Sequence, residues 1–415
     1  MGARTIGYLT SVYPGISHTF IFREIQALRR LGQDVRTASM RVPDDVERMT
    51  AAEQEEFRDT YYVNTAPFAR LIMAHARLLF SRPGGYFGAL RYAIGLRRKG
   101  PVPLWRLLAY FMQAGLLLDW MRREGICHLH VHFGNPPATA ALIALHAGGA
   151  PFSLSIHGPD IFNDEQESLL AEKLDKAVFV RCISHFCRSQ VMRLTEFGQW
   201  PKLHIVRCGV DVGAFSPRPT PHNAVAEIVC LGRLCAAKGQ YVLLQACAAL
   251  RAQGRGFHVT FVGDGPERPA LEAAADSLGV RSVVTFAGAV GQDKVHGFLD
   301  KADMMVLPSF AEGLPVVLME AMAKEVPCVS TRIMGIPELI EDGVNGFLAP
   351  ASDGETLARC VQRLLDDPAL GAELGRKGRL TVREAYDIEA NGRAMHDLFL
   401  RYLPSAQESA DGTSP

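Results

Sequence analysis

The residues best suited to chemistry lie in one stretch, Leu307-Pro308-Ser309-Phe310-Ala311-Glu312-Gly313-Leu314-Pro315-Val316-Val317-Leu318-Met319-Glu320. Ahead of it, Ala302-Asp303-Met304-Met305-Val306 reads as a short buried parallel strand. Gly313 marks a loop, Pro315 suits a first helical position, and from Val316 the pattern is helical. A helix N-terminus offers unpaired N–H groups and a partial positive charge, a seat for phosphate that includes the backbone of Gly313 and Leu314. Glu312 falls in the loop and Glu320 about two turns into the helix. A carboxylate accepts two hydrogen bonds from a vicinal diol. Glu320 is therefore suited to a ribose and Glu312 to a hexose, with a diphosphate between them. A surface glutamate and a glutamate answering the helix dipole fit the same spacing, so both readings stand at this point.

A second strand-to-helix turn carries cations. Glu227 to Leu231 reads as a strand, and the turn Gly232-Arg233-Leu234-Cys235-Ala236-Ala237-Lys238-Gly239 leads into a helix through Leu250. A departing diphosphate gathers charge that fixed cations stabilise, Arg233 by forking onto phosphate oxygens and Lys238 as a point charge. Two exposed basic residues on a loop are the plainer alternative.

Earlier in the chain, Phe152 to Ile156 reads as a strand delivering His157-Gly158-Pro159-Asp160 at its C-terminal end, where an α/β sheet places functional side chains. A lone histidine is more often structural, and Asp160 fits equally an orienting partner of His157, an acceptor contact or a helix cap. His128, His130 and His132 share one strand face. No tetrahedral ligand set accompanies them, so the plain reading is a strand with polar residues toward one side.

The elements that carry these residues alternate strand and helix. Ile6 to Thr10, a helix from Phe20 to Arg30 ended by Gly32, and Val35 to Met40 give a β-α-β opening of the doubly wound kind. At 415 residues two domains are expected. Lysine and arginine balance aspartate and glutamate at 44 each, so no global charge points to nucleic acid. The nine cysteines are scattered without a Cys-x-x-Cys, as in reduced buried thiols of a cytosolic protein. No apolar run reaches the roughly 18 residues that cross a bilayer, and no signal peptide opens the chain, so a place in the cytoplasm or on its membrane face is expected. Between Pro67 and Gly125, apolar segments alternate with Arg70, Arg77, Arg82, Arg91, Arg97, Arg98, Lys99, Arg106, Arg122 and Arg123, against only Asp119 and Glu124. That composition suits an anionic membrane face or packed helices with a solvated basic rim.

Glu312 and Glu320 reproduce the Glu-x7-Glu pattern of retaining GT-B glycosyltransferases, and the words around them resemble glycosyltransferase family 4. The match runs on through Pro327-Cys328-Val329-Ser330-Thr331, Gly335-Ile336-Pro337-Glu338-Leu339-Ile340 and Asp342-Gly343-Val344-Asn345-Gly346-Phe347-Leu348. It is carried earlier by Gly232-Arg233-Leu234…Lys238-Gly239, by Ser155-x-His157-Gly158-x-Asp160 and by the strand end His132-Phe133. It is carried also by Tyr13-Pro14 with Ser17-x-Thr19-Phe20-Ile21-x-Arg23-Glu24-Ile25, a word of exopolysaccharide-assembly enzymes.

The resemblance implies the GT-B fold, two Rossmann-like domains facing across a cleft. Residues 1–208 would bind the acceptor, 209–224 form a linker and 225–385 bind the nucleotide sugar, while a helix at 386–404 returns to the first domain and 405–415 are a disordered tail. It implies transfer of a hexose from a UDP- or GDP-sugar to an acceptor hydroxyl with retention, the acceptor being a lipid-linked saccharide. His157 and Glu312 would be catalytic, and Arg233, Lys238, Gly313, Leu314 and Glu320 would bind the donor. The loop that follows the strand Val283 to Gly288 would meet the base by backbone, with Gly288 among the donor-binding residues, and Gly15 would let its loop approach the phosphate or serve a turn only. Metal would be dispensable. Retention by double displacement needs a carboxylate behind the anomeric carbon, and no residue stands out for it, so reaction on the front face is expected. A non-catalytic sugar-nucleotide-binding subunit and a transferase with a soluble acceptor are the alternatives.

Overall fold

The computed structural model describes residues 4–15, 19–44, 46–158, 162, 169–218 and 225–403. The chain divides into two units, one of Met1–Glu47, Ala51–Val206 and Glu389–Pro415, the other of Arg48–Thr50 and Arg207–Ile388. In the first unit lie β1 (Ile6–Val12), β2 (Val35–Arg41), β3 (Tyr61–Tyr62), β4 (His128–His132), β5 (Phe152–Ile156), β6 (Val180–Cys182) and β7 (Leu203–Ile205). They form one sheet in the order β3-β2-β1-β4-β5-β6-β7. Its pairings are parallel, with Ile6 beside Val35 on one side and His128 on the other. In the second unit β8 (Ala226–Leu231), β9 (Phe257–Val262), β10 (Val284–Gly288), β11 (Met304–Leu307), β12 (Cys328–Thr331) and β13 (Phe347–Ala349) run in the order β10-β9-β8-β11-β12-β13.

Each sheet winds one way from its first strand and then reverses. The reversal falls between β1 and β4, and again between β8 and β11. In a doubly wound sheet that switch opens a crevice beyond the carboxyl ends of the two strands, because the crossovers there leave in opposite directions. The strands at these points are covered on both faces, as parallel sheets require, and β11 and β12 are buried throughout. The crossover helix Gln240–Ala252 buries Val242, Leu243, Ala246, Cys247 and Leu250 along one stripe. It packs them with Phe257 and Phe261 in the core of the second unit.

The helix Ile388–Tyr402 lies on the first unit from Glu389 onward. Its Phe399 is fully buried, with ring centroids 5.5 Å from His130 and 5.7 Å from Phe179. Gly392 permits the approach, since a Cβ there would stand 2.9 Å from that of Ala27.

Residues 209–218, expected in a linker, are packed on the second unit. Arg379 donates to the carbonyl of Phe215, and the Arg218 amide donates to the carbonyl of Lys324 at 2.9 Å. The remainder of the expected linker, 219–224, and the tail 405–415 lie outside the described residues. The basic region forms the helices Phe68–Ser81, Pro83–Gly95 and Leu104–Arg123.

Candidate active site

Two loops leave the switch point of the second unit. One follows β8 and carries Arg233 and Lys238; the other follows β11 and carries Glu312. Lys238 Nζ donates to Glu312 Oε1 at 2.5 Å, and Ser309 Oγ donates to the same oxygen at 2.8 Å. Backbone bonds tie the loops further, with the Phe310 and Ala311 amides both donating to the carbonyl of Ala237. Gln240 Nε2 donates to the carbonyl of Arg233 at 2.9 Å. Thr331 at the end of β12 fixes the second loop from behind through the carbonyl of Ser309, 2.6 Å away.

Two glycines let these loops close. Gly239 has φ +62°, and a Cβ there would lie 2.2 Å from the carbonyl oxygen of Pro308. A Cβ on Gly335 would lie 2.1 Å from that of Gly313. Neither contact leaves room for a side chain. The sequence showed Gly335 only as part of a family word, and its signal was the glycine itself.

The helix after Glu312 begins at Val316, with Pro315 as its cap residue rather than its first helical one. The Leu318 amide donates to the Pro315 carbonyl at 3.1 Å, and the opening turn presents its amide ends beside Gly313 and Leu314. Glu320 stands four residues in, a little over one turn rather than two. Glu312 and Glu320 are both buried, which removes the reading of Glu312 as a surface residue. A buried carboxylate needs partners, and Glu312 has Lys238 and Ser309. Arg233 is exposed at the same turn, with no ion-pair partner among the described residues. Gly288 closes β10 at φ +78°. The structure thus brings Glu312, Lys238, Gly313, Leu314 and Glu320 to one end of β8 and β11.

In the first unit Gly15 follows β1 and His157 follows β5, both at carboxyl ends of strands. Asp160 lies outside the described residues. His157 is buried, with Phe20 and Phe133 packed on it at 4.8 and 4.9 Å between ring centroids. His132 Nδ1 and His157 Nε2 are 2.8 Å apart. The strand of histidines is not polar toward a solvated side: β4 is buried along its whole length. Ser153 Oγ bonds both His128 Nε2 and His130 Nδ1 at 2.7 Å, and Ser155 Oγ bonds His130 Nε2 at 2.8 Å. Glu24, His130 and His132 stand close enough to suggest a metal site. The serines already engage both nitrogens of His130, and Arg181 pairs with Glu24, so the cluster is a hydrogen-bonded network. Ser153 and Arg181 went unread in the sequence, and Ser155 and Glu24 figured only as letters of family words; the i, i+2 spacing of the serines opposite that of the histidines was the available signal.

Two successive doubly wound units, the second with two buried glutamates, one of them bonded to a lysine on the neighbouring strand-to-helix turn, are the architecture of a GT-B glycosyltransferase. Residues 17–214 match the family described as Glycosyltransferase Family 4, and residues 226–367 match Glycosyl transferases group 1. The chain belongs to glycosyltransferase family 4. It is similar to the Salmonella typhimurium protein named for colanic acid biosynthesis as glycosyltransferase WcaL, at 28% identity over 415 residues, covering 95% of this chain and 98% of that one. It is similar also to the GDP-mannose-dependent alpha-(1-6)-phosphatidylinositol monomannoside mannosyltransferase of Mycolicibacterium smegmatis, at 28% identity, covering 63% of this chain and 73% of that one. Its fold is shared with Anabaena HepE, solved with UDP-glucose, at TM-score 0.73 and 16% identity over 96% of this chain and 99% of that one.

Burial holds the β4 imidazoles neutral: it pushes His128 down to about 3 and His130 well below the usual range. The unfolded chain takes up protons below about pH 6.5 that the folded strand refuses, so stability is full above that pH and falls toward about pH 3. Each such histidine costs about 2 kcal/mol at pH 5, from some 1.5 pH units at 1.36 kcal/mol each. Urea unfolding followed at pH 7.5 and pH 5 should show a loss of about 4 kcal/mol from the two together, and about 2 kcal/mol in His128→Gln. An identical loss in the variant would contradict the assignment.

Proposed function

We propose that the chain transfers a hexose, with retention, from a UDP- or GDP-sugar to an acceptor hydroxyl, on a lipid-linked saccharide of exopolysaccharide or cell-surface glycan synthesis. The observation that carries this reading is the bond between Lys238 and Glu312. In a nucleotide diphosphate sugar the distal phosphate and the sugar ring are joined, so a phosphate-binding cation and a sugar-binding carboxylate must adjoin. Lys238 has three N–H donors, and only one is directed at Glu312. In this reading Arg233, Lys238 and the amide ends at Gly313, Leu314 and Val316 hold the diphosphate, Glu320 the ribose, Glu312 the hexose, and the Gly288 loop the base. Gly15 and His157 meet the donor from the first unit.

The bond from the anomeric carbon to the phosphate oxygen breaks, and its electron pair passes to the leaving diphosphate. The acceptor oxygen forms the new bond on the same face and gives its proton to that phosphate. Charge on the leaving group is met by the chain's own cations and amide dipoles, so no divalent ion is required. The UDP-glucose of HepE and the GDP-mannose in the name of the mycobacterial relative support a nucleotide-sugar donor and leave the base open. The WcaL similarity supports a role in exopolysaccharide assembly.

A lipid-linked acceptor needs a membrane surface. Phe80 is 84% exposed, Phe68 74% and Trp105 68%, on the helices Phe68–Ser81 and Leu104–Arg123, which also carry Arg70 and Arg106, while Arg91, Arg97 and Arg98 lie on the helix and turn between them. No helix among the described residues is long and apolar enough to cross a membrane. Exposed aromatics beside cations suit a shallow seat on anionic lipid at the cytoplasmic face.

Hydrolysis of UDP- and GDP-hexoses by the purified chain should reveal the donor and should persist in EDTA. Glu312→Ala and Lys238→Ala should each lower it by about 10²–10³-fold without unfolding the protein; full activity in both would remove the assignment. In vesicle flotation the chain should rise with phosphatidylglycerol and not with phosphatidylcholine. Phe80→Ser combined with Trp105→Ser should weaken this binding by about tenfold or more. Equal binding to both lipids, or none, would overturn the membrane reading.

A further inference from the structure

Beneath His157 the first unit holds a chain of buried groups that reaches from β5 to the helix Thr19–Arg30. The His132 and His157 rings are nearly coplanar, 12° apart, with centroids 4.9 Å from one another. With their nitrogens at 2.8 Å they meet edge to edge, too close for face stacking. The bond therefore lies in the ring planes, where one nitrogen carries a proton and the other a lone pair. On the far side of His132, its Nε2 stands 3.7 Å from Glu24 Oε1. The same carboxylate oxygen accepts from the Tyr8 hydroxyl at 2.9 Å, and Arg181 pairs with Oε2. Arg181 is in turn fixed by the carbonyl of Val206 at 2.8 Å and by Ser155 Oγ at 3.3 Å. Glu24, His132 and Arg181 are all buried.

These contacts fix a direction. Arg181 pairs with one oxygen of Glu24 and Tyr8 donates to the other, so both carboxylate oxygens serve as acceptors. Burial beside Glu24 pushes the Tyr8 hydroxyl well above its usual range, so it remains a donor. A ring nitrogen facing that carboxylate is favoured as N–H, since a lone pair there would meet negative charge at low dielectric. In neutral His132 a proton on Nε2 leaves Nδ1 as the acceptor, and His157 must then donate through its own Nε2.

We infer that His132 is a positioning residue which, held by Glu24 and Arg181, sets His157 in the Nε2–H tautomer and leaves Nδ1 as its accepting nitrogen. On the reading that His157 meets the donor sugar, its ring takes a hydrogen bond from a sugar hydroxyl and does not give one. The network itself stands apart from that reading, because it is built on contacts within the first unit.

The test is a long-range ¹H–¹⁵N spectrum of the full chain labelled with [¹⁵N]histidine, with the His157 ring assigned by its disappearance in His157→Ala. The wild-type ring should show the Nε2–H pattern alone. His132→Asn, which keeps an acceptor at the Nδ1 position, should preserve it. His132→Leu and Glu24→Gln should admit the Nδ1–H form. Donor hydrolysis, measured on the nucleotide hexose that the wild-type chain cleaves, should fall by about tenfold in His132→Leu and recover in His132→Asn. An Nδ1–H ring in the wild type, or a tautomer indifferent to both His132→Leu and Glu24→Gln, overturns the inference. If His132→Leu fails to fold, the wild-type pattern with Glu24→Gln and His132→Asn decides. Undiminished hydrolysis in His157→Ala with the expected tautomer would instead sink the placing of His157 at the sugar and leave the network standing.

Discussion

The bond between Lys238 and Glu312 joins two loops that leave neighbouring strands, β8 and β11, at the point where the sheet reverses its winding. Without a tie the crevice at such a switch point is only a gap between crossovers. The ammonium and carboxylate give it an ordered floor, Ser309 braces that floor from the same loop and Thr331 from β12, and Gly239 and Gly335 let the backbones come within contact. The helix from Val316 then aims its amide end at the place so formed. Removing the Lys238 charge would leave the Glu312 carboxylate buried without a counter-charge, which is costlier than the pair itself. This is why the pair organises the loops as well as offering chemistry.

The first unit solves a related problem with a different set of groups. Its switch point lies between β1 and β4, and β4 is a fully buried strand that presents three histidines where a parallel sheet normally presents aliphatic residues. Burial keeps His128 and His130 from charging, and serines on β5 complete their bonds. His132 alone of the three turns its bond forward to His157. The polar residues of this sheet therefore hold one imidazole in place, while the apolar ones, with Phe399 from the last helix, exclude water from the network.

Much of this was legible in the sequence, for physical reasons that differ between residues. The strand-loop-helix around Glu312 could be read because a short apolar run, a glycine and a proline punctuate the chain in the order that a parallel strand and a helix start demand. Arg233 and Lys238 stood out through the word Gly232-Arg233-Leu234…Lys238-Gly239, since two basic residues on a loop carry little signal by themselves. The burial of β4 could not, because alternating histidines look like a half-solvated strand until the serines of β5 are set against them in register. The closeness of Gly335 to Gly313 was hidden for the same reason: they are 22 residues apart along the chain, and only the fold makes one the neighbour of the other. The depth of Glu320 was overestimated by nearly a turn, and the place of Pro315 as cap instead of first helical residue accounts for only one residue of that. Residues 209–218 read as linker from their likeness to the family's interdomain word and from Pro217, whereas Arg379 bonds them to the second unit.

The central claim is that a diphosphate binds where β8 and β11 part, on Arg233, Lys238 and the amide end of the helix from Val316. A crystal of the full chain soaked with UDP and, separately, with GDP tests it most directly. The account predicts density for the distal phosphate within hydrogen-bonding distance of Lys238 and of the first helical amides, with the ribose hydroxyls on Glu320. A nucleotide bound at any other strand end, or a ribose turned away from Glu320, would contradict it.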